Sequence, residues 1–163
     1  MGLKNDVTTI LEGSRRITSR PGVVGDLVLF APTTIPIFTV VGGDIWVHAL
    51  YAKVTTVIQA NATTITLSHT TAISATVVPL AGAGVNITGS DLDSLITITG
   101  AVAVAPTLYN GAARGVGIPN ITNTQILVPG SIGMVVGGAT NTGLLLWTIV
   151  WSPMSESAQV NPA

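Results

Sequence analysis

From Val23 onward the apolar residues fall in short continuous or alternating runs divided by Gly, Pro and Asn, the pattern of a sandwich or barrel of strands. Strands are predicted over residues 26–30, 36–41, 45–59, 63–69, 75–80, 95–99, 125–128, 132–136 and 144–151. In the fourth of these, Thr64, Thr66 and Ser68 alternate with Ile65 and Leu67, so one face should be wet and the other dry. Two segments differ. In 45–58, Trp46, Leu50 and Val54 share one parity while Val47, Ala49 and Tyr51 share the other, and 144–151 is apolar on both parities too. A two-layer sandwich buries only one face of each strand, so the second face is expected to meet a neighbouring subunit, an overlying loop or the arm, the subunit being the preferred reading. That assigns Trp46, His48, Tyr51, Trp147 and Trp151 to a subunit interface. Residues 101–123 are small and weakly periodic and read as a long loop, and 155–163 are polar and read as a C-terminal tail. The expected fold is all-β: a jelly-roll-like, two-sheet antiparallel sandwich over 23–154, preceded by an N-terminal arm over 1–22.

Composition supports strands and adds an expectation of assembly. Thr, Gly and Val are abundant while Glu and Lys are scarce, which is strand rather than helix chemistry. Hydrophobic residues make up 47% of the chain and charged residues only 8%, against roughly a quarter charged in an ordinary domain. A surface so poor in charge is expected to be covered in part by other copies. Seven of the thirteen formal charges (Lys4, Asp6, Glu12, Arg15, Arg16, Arg20 and Asp26) fall in the first 26 residues, and Arg20-Pro21-Gly22 closes that stretch with a turn signal. Arg15, Arg16 and Arg20 are therefore candidate contacts with an acidic partner surface. A net charge of −1 and 4% aromatic residues argue against nucleic-acid binding. No apolar segment precedes the first charges, so the start does not read as a secretory signal. The uncharged stretch 131–151 is divided by Gly137, Gly138, Asn141 and Gly143, which favours two strands over a membrane span.

Candidate chemistry is sparse. His48 lies within an apolar strand and reads as a hydrogen-bonded core or interface histidine, whereas His69 ends its strand and is expected to be solvated. No zinc spacing occurs, and with no cysteine there is no thiolate ligand or nucleophile. Asp91 and Asp93 supply too few oxygens for a calcium loop and read as a turn. Gly82, Gly84 and Gly89 lack the Lys-Ser/Thr ending of a phosphate loop, and no Gly-x-Ser-x-Gly elbow is present. The expectation is a non-enzymatic chain without cofactor or metal. A distant alternative, an unrecognised hydrolase, requires His and Asp side chains to converge in a pocket.

The runs Phe38-Thr-Val-Val-Gly-Gly-Asp-Ile-Trp-Val-His48-Ala-Leu-Tyr51, Val54-Thr-Thr-Val-Ile-Gln-Ala60-Asn-Ala-Thr-Thr-Ile-Thr-Leu67 and Asn141-Thr-Gly-Leu-Leu-Leu-Trp147-Thr-Ile-Val-Trp-Ser-Pro153 resemble small virion proteins of tailed bacteriophages. Within that group the chain is most similar to capsid decoration, or cement, proteins. The resemblance implies a homotrimer on the capsid surface, made in the host cytoplasm and bound to the major capsid protein; composition and the turn residues within 131–151 leave neither nucleic acid nor membrane as an expected partner. A second reading is a carbohydrate- or receptor-binding module of a tail, spike or head fibre, in which a tryptophan would stack on sugar rings.

Overall fold

A computed structural model of the chain describes residues 16–20, 33–109, 125–139 and 141–163. The strands are β1 (Arg16–Arg20), β2 (Thr33–Val41), β3 (Ile45–Thr56), β4 (Thr63–Thr71), β5 (Val77–Pro79), β6 (Val85–Asn86), β7 (Leu95–Thr97), β8 (Thr107–Tyr109), β9 (Gln125–Leu127), β10 (Gly130–Gly138), β11 (Leu144–Pro153) and β12 (Gln159–Pro162). The first sheet runs β1-β11-β3-β7-β8, with β9 also on β3; the second runs β12-β2-β10-β4-β5, with β6 also on β4. Neighbouring strands are antiparallel throughout. Because β2, β3 and β4, and again β10, β11 and β12, alternate between the sheets, the chain forms the jelly-roll-like antiparallel sandwich expected from its sequence.

The core lies between the sheets. Trp147, Ile149, Leu50 and Ile96 approach it from the first sheet, and Phe38, Ile65, Leu67 and Met134 from the second. Tight strand contact requires glycine at one point of the second sheet. A β-carbon on Gly130 would lie 2.8 Å from His69 Nε2 and would meet the Thr70 carbonyl, so β10 approaches β4 there with no side chain between them. Gly42, with φ of +75°, turns β2 into β3 through the left-handed region that other residues enter only at a cost.

The two-faced reading of residues 45–58 is corrected by strand register. β11 pairs Val150 with Ala49 but Trp151 with Val47, and the register shifts between them. His48 is the extra residue of a bulge, and a bulge reverses which parity points inward. Ile45 and Val47 before it, and Leu50, Ala52 and Val54 after it, are all buried. The parity that joined Trp46 to Leu50 and Val54 is therefore broken at His48. β3 has one apolar inner face and one mixed outer face.

The chain ends also depart from expectation. Residues 16–20, inside the predicted arm, form β1 on the open side of β11, while 1–15 and 21–32 lie outside the described residues, along with the predicted strand 26–30. The C-terminal tail is corrected to a strand: β12 pairs with β2, and Ala158 and Val160 are buried. Two apolar side chains spaced for one strand face drive that docking, despite the polar residues around them. The predicted loop 101–123 contributes β8 beside β7; residues 110–124 lie outside the described residues.

Candidate functional site

The outer face of the first sheet gathers the exposed aromatic and apolar side chains of β3 and its neighbours. Trp46 and Ile126 are direct cross-strand partners on β3 and β9, 45% and 58% exposed. Register explains both. Ile45 pairs with Leu127, and both are buried, so the adjacent pair must point the other way. Beside them, the rings of Trp46 and His48 lie 5.6 Å apart at 34°. His48 Nε2 is 2.7 Å from Ser152 Oγ on β11, which holds the imidazole along the strand. Further along, Tyr51 is half-buried between its partners Thr148 and Thr97. Val150, Leu146 and Leu144 on β11 are half-buried as well, on the parity opposite the buried Leu145, Trp147, Ile149 and Trp151.

Charge enters at the margin. Lys53 Nζ contacts Asp93 Oδ1 at 2.7 Å, both side chains partly exposed, so the pair contributes at most about 1 kcal/mol. Asp93 takes a left-handed φ of +66° in the turn leading to β7. Its carboxylate is thus engaged with Lys53.

The five residues expected at a subunit interface separate into two groups. Trp46, His48 and Tyr51 share the outer face. Trp147 and Trp151, 1% and 2% exposed, belong instead to the core of the single chain, because β11 directs them inward with Leu145 and Ile149. Trp151 Nε1 donates to Thr18 Oγ1 at 3.1 Å. Of the three arginines assigned to partner contact, Arg15 lies outside the described residues. Arg16 and Arg20 are in β1, where their backbones pair with Trp151 and Trp147. Ile126 was missed by sequence reasoning; its signal was the alternation Gln125, Ile126, Leu127, which becomes interpretable only once Leu127 is known to face inward.

His69 is corrected from solvated to buried, at 3% exposure. Its Nε2 has no hydrogen-bond partner among the described residues, and the ring bonds the backbone of Val128. Desolvation lowers its pKa below the ordinary 6.5, the Val128 bond opposing in part. As pH falls through 6.5 the unfolded chain takes up a proton that the folded chain refuses, so the fold weakens from there down to the lowered folded pKa. Urea unfolding at pH 7.5 and pH 5.5 should show this loss in the wild type and a smaller loss in His69→Gln. Equal losses in both would assign the pH dependence to other groups.

An open apolar depression of about 510 Å³ lies on the second sheet, lined by residues including Thr39, Val41, Ala72, Pro129 and Ser131. None of its lining side chains titrates. Among the described residues no three His, Asp or Glu side chains converge as a metal site would require. No protein-family model, curated protein or solved structure matches the chain.

Proposed function

We propose that this chain is a structural, non-enzymatic virion protein: a capsid decoration or cement subunit that associates as a homotrimer, binds the major capsid protein of an assembled phage shell and stabilises it. The observation that carries this reading is the outer face of the first sheet, where Trp46 and Ile126 stand side by side in solvent on a chain with only 8% charged residues. Removing such a face from water is favourable by about 25 cal/mol per Å² of apolar surface, and aromatic anchors tend to dominate protein interfaces. Binding only the assembled shell stabilises it by mass action, and several contacts per oligomer multiply weak attachments. The choice of a capsid protein as partner rests on the resemblance drawn from the strand sequences alone.

Light scattering at micromolar concentration tests the self-association. The wild type should sediment and scatter as an oligomer, and Trp46→Arg should shift it toward the monomer without loss of fold. A folded wild-type monomer would overturn the reading. Occupancy on shells of the major capsid protein, seen by electron cryomicroscopy, tests the shell partner separately.

Trp46 also favours a second reading, a carbohydrate- or receptor-binding module, because an exposed indole beside a hydrogen-bonded imidazole suits sugar stacking. Tryptophan quenching by glycans, abolished in Trp46→Ala while the wild-type mass stays monomeric, would support that reading against the first.

A further inference from the structure

The segment expected to reach outward as an arm contains a strand with a specific seat. β1 lies along the otherwise open side of β11 in full register, Arg16 opposite Trp151 through Arg20 opposite Trp147. It also reaches the other sheet: Thr18 Oγ1 accepts the Trp151 indole N–H at 3.1 Å and donates to the Val160 carbonyl on β12 at 3.2 Å. Thr18 thus closes one side of the sandwich, where β1 and β12, the outermost strands of the two sheets, lie against one another.

The main neighbours of β1 among the described residues are β11 and β12, more than 120 positions away in sequence. The next strand in sequence, β2, belongs to the other sheet and lies beyond β12. Twelve residues, 21–32, join Arg20 to Thr33, and twelve residues can span up to about 40 Å. Every copy carries both the strand and its seat. Exchanging β1 between copies would keep each ladder bond and both Thr18 hydrogen bonds while adding a covalent tie between subunits, the low-cost route by which identical elements are swapped. An unpaired sheet edge is in any case the part of a β protein most ready to take a strand from another chain.

Resting on the self-association proposed above, we infer that the open edge of β11 is a strand-acceptor site and that its occupant in the assembled protein is β1 of a second copy. The exchange deepens that reading by naming the contact that locks the subunits together, one whose effective concentration is set by the linker rather than by bulk protein.

The chain has no cysteine, so single thiols report on this directly. Ser19 and Thr148 are register partners, as are Ile17 and Val150. Full-length Ser19→Cys and Thr148→Cys, unfolded together, refolded and treated with a short bis-maleimide, should give a covalent dimer of one variant with the other, and neither variant alone should. The Ile17→Cys and Val150→Cys mixture provides the same readout if the first pair folds poorly. Bridging confined to the double variant Ser19→Cys/Thr148→Cys, as an internally closed monomer, would overturn the exchange. The two proposals fail separately: an oligomer by light scattering whose strand bridges only within one chain removes the exchange and leaves self-association standing, whereas a wild-type monomer removes both.

Discussion

Asn141→Asp should destabilise the fold by about 3–5 kcal/mol, the cost of a buried charge without a compensating cation, and lower the melting temperature by about 10 °C. Asn141 is fully buried. Its Nδ2 donates to the carbonyls of Gln59 at 3.0 Å and Asn61 at 2.9 Å and to Thr63 Oγ1 at 2.8 Å, while its Oδ1 accepts the Thr142 N–H at 2.8 Å. One amide therefore ties the β3–β4 connection to the start of β11. A carboxylate keeps the acceptor and loses both N–H donors, setting a second oxygen against two carbonyl oxygens with no water to intervene. Thermal unfolding of the two proteins side by side decides the matter. A difference below about 1 kcal/mol, the size of an ordinary surface change plus error, would show that the amide is not the tie described.

The second large effect separates the tryptophans. Trp147→Ala should cost about 3–5 kcal/mol through lost burial and the cavity left behind, whereas Trp46→Ala should stay within about 0.5 kcal/mol in unfolding of the dissociated chain. Trp147 is the largest fully buried side chain described, packed from the first sheet toward the second. Its indole N–H has no acceptor among the described residues, so Trp147→Phe should recover most of the loss, since no hydrogen bond goes with it. Trp46 has its counterpart effect in association, where the exposed face is at stake. Urea unfolding with the oligomer diluted apart measures the first contrast. Comparable losses at both positions would contradict the inward and outward assignments.

Much of the sandwich was legible because strand alternation is a local signal. The wet and dry faces of β4 follow from Thr64, Ile65, Thr66 and Leu67 alone, and the turn residues placed most strand boundaries within a few positions. The site was harder to read. Of the five residues predicted at a subunit interface, Trp46, His48 and Tyr51 lie on one outer face, but Trp147 and Trp151 carry the same strand wording and lie inside. His69 was misplaced because a histidine at the end of a strand resembles a solvated one until Gly130 on the neighbouring strand is seen to close over it. β12 was missed because Ala158 and Val160 are two apolar residues in a polar stretch, too few for a periodicity.

By itself the sequence determined an all-β chain of short strands, poor in charge, since composition and a two-residue period are properties each segment carries alone. Only the tertiary structure decided which side of each strand is buried. A bulge at His48 reverses the face of everything beyond it, and a bulge is set by pairing with β11, a hundred residues away, so no local pattern records it. The seat of β1 was decided in the same way: what makes residues 16–20 a strand is the open edge of β11 and the Thr18 bonds to Trp151 and Val160, partners that only the closed sandwich brings within reach.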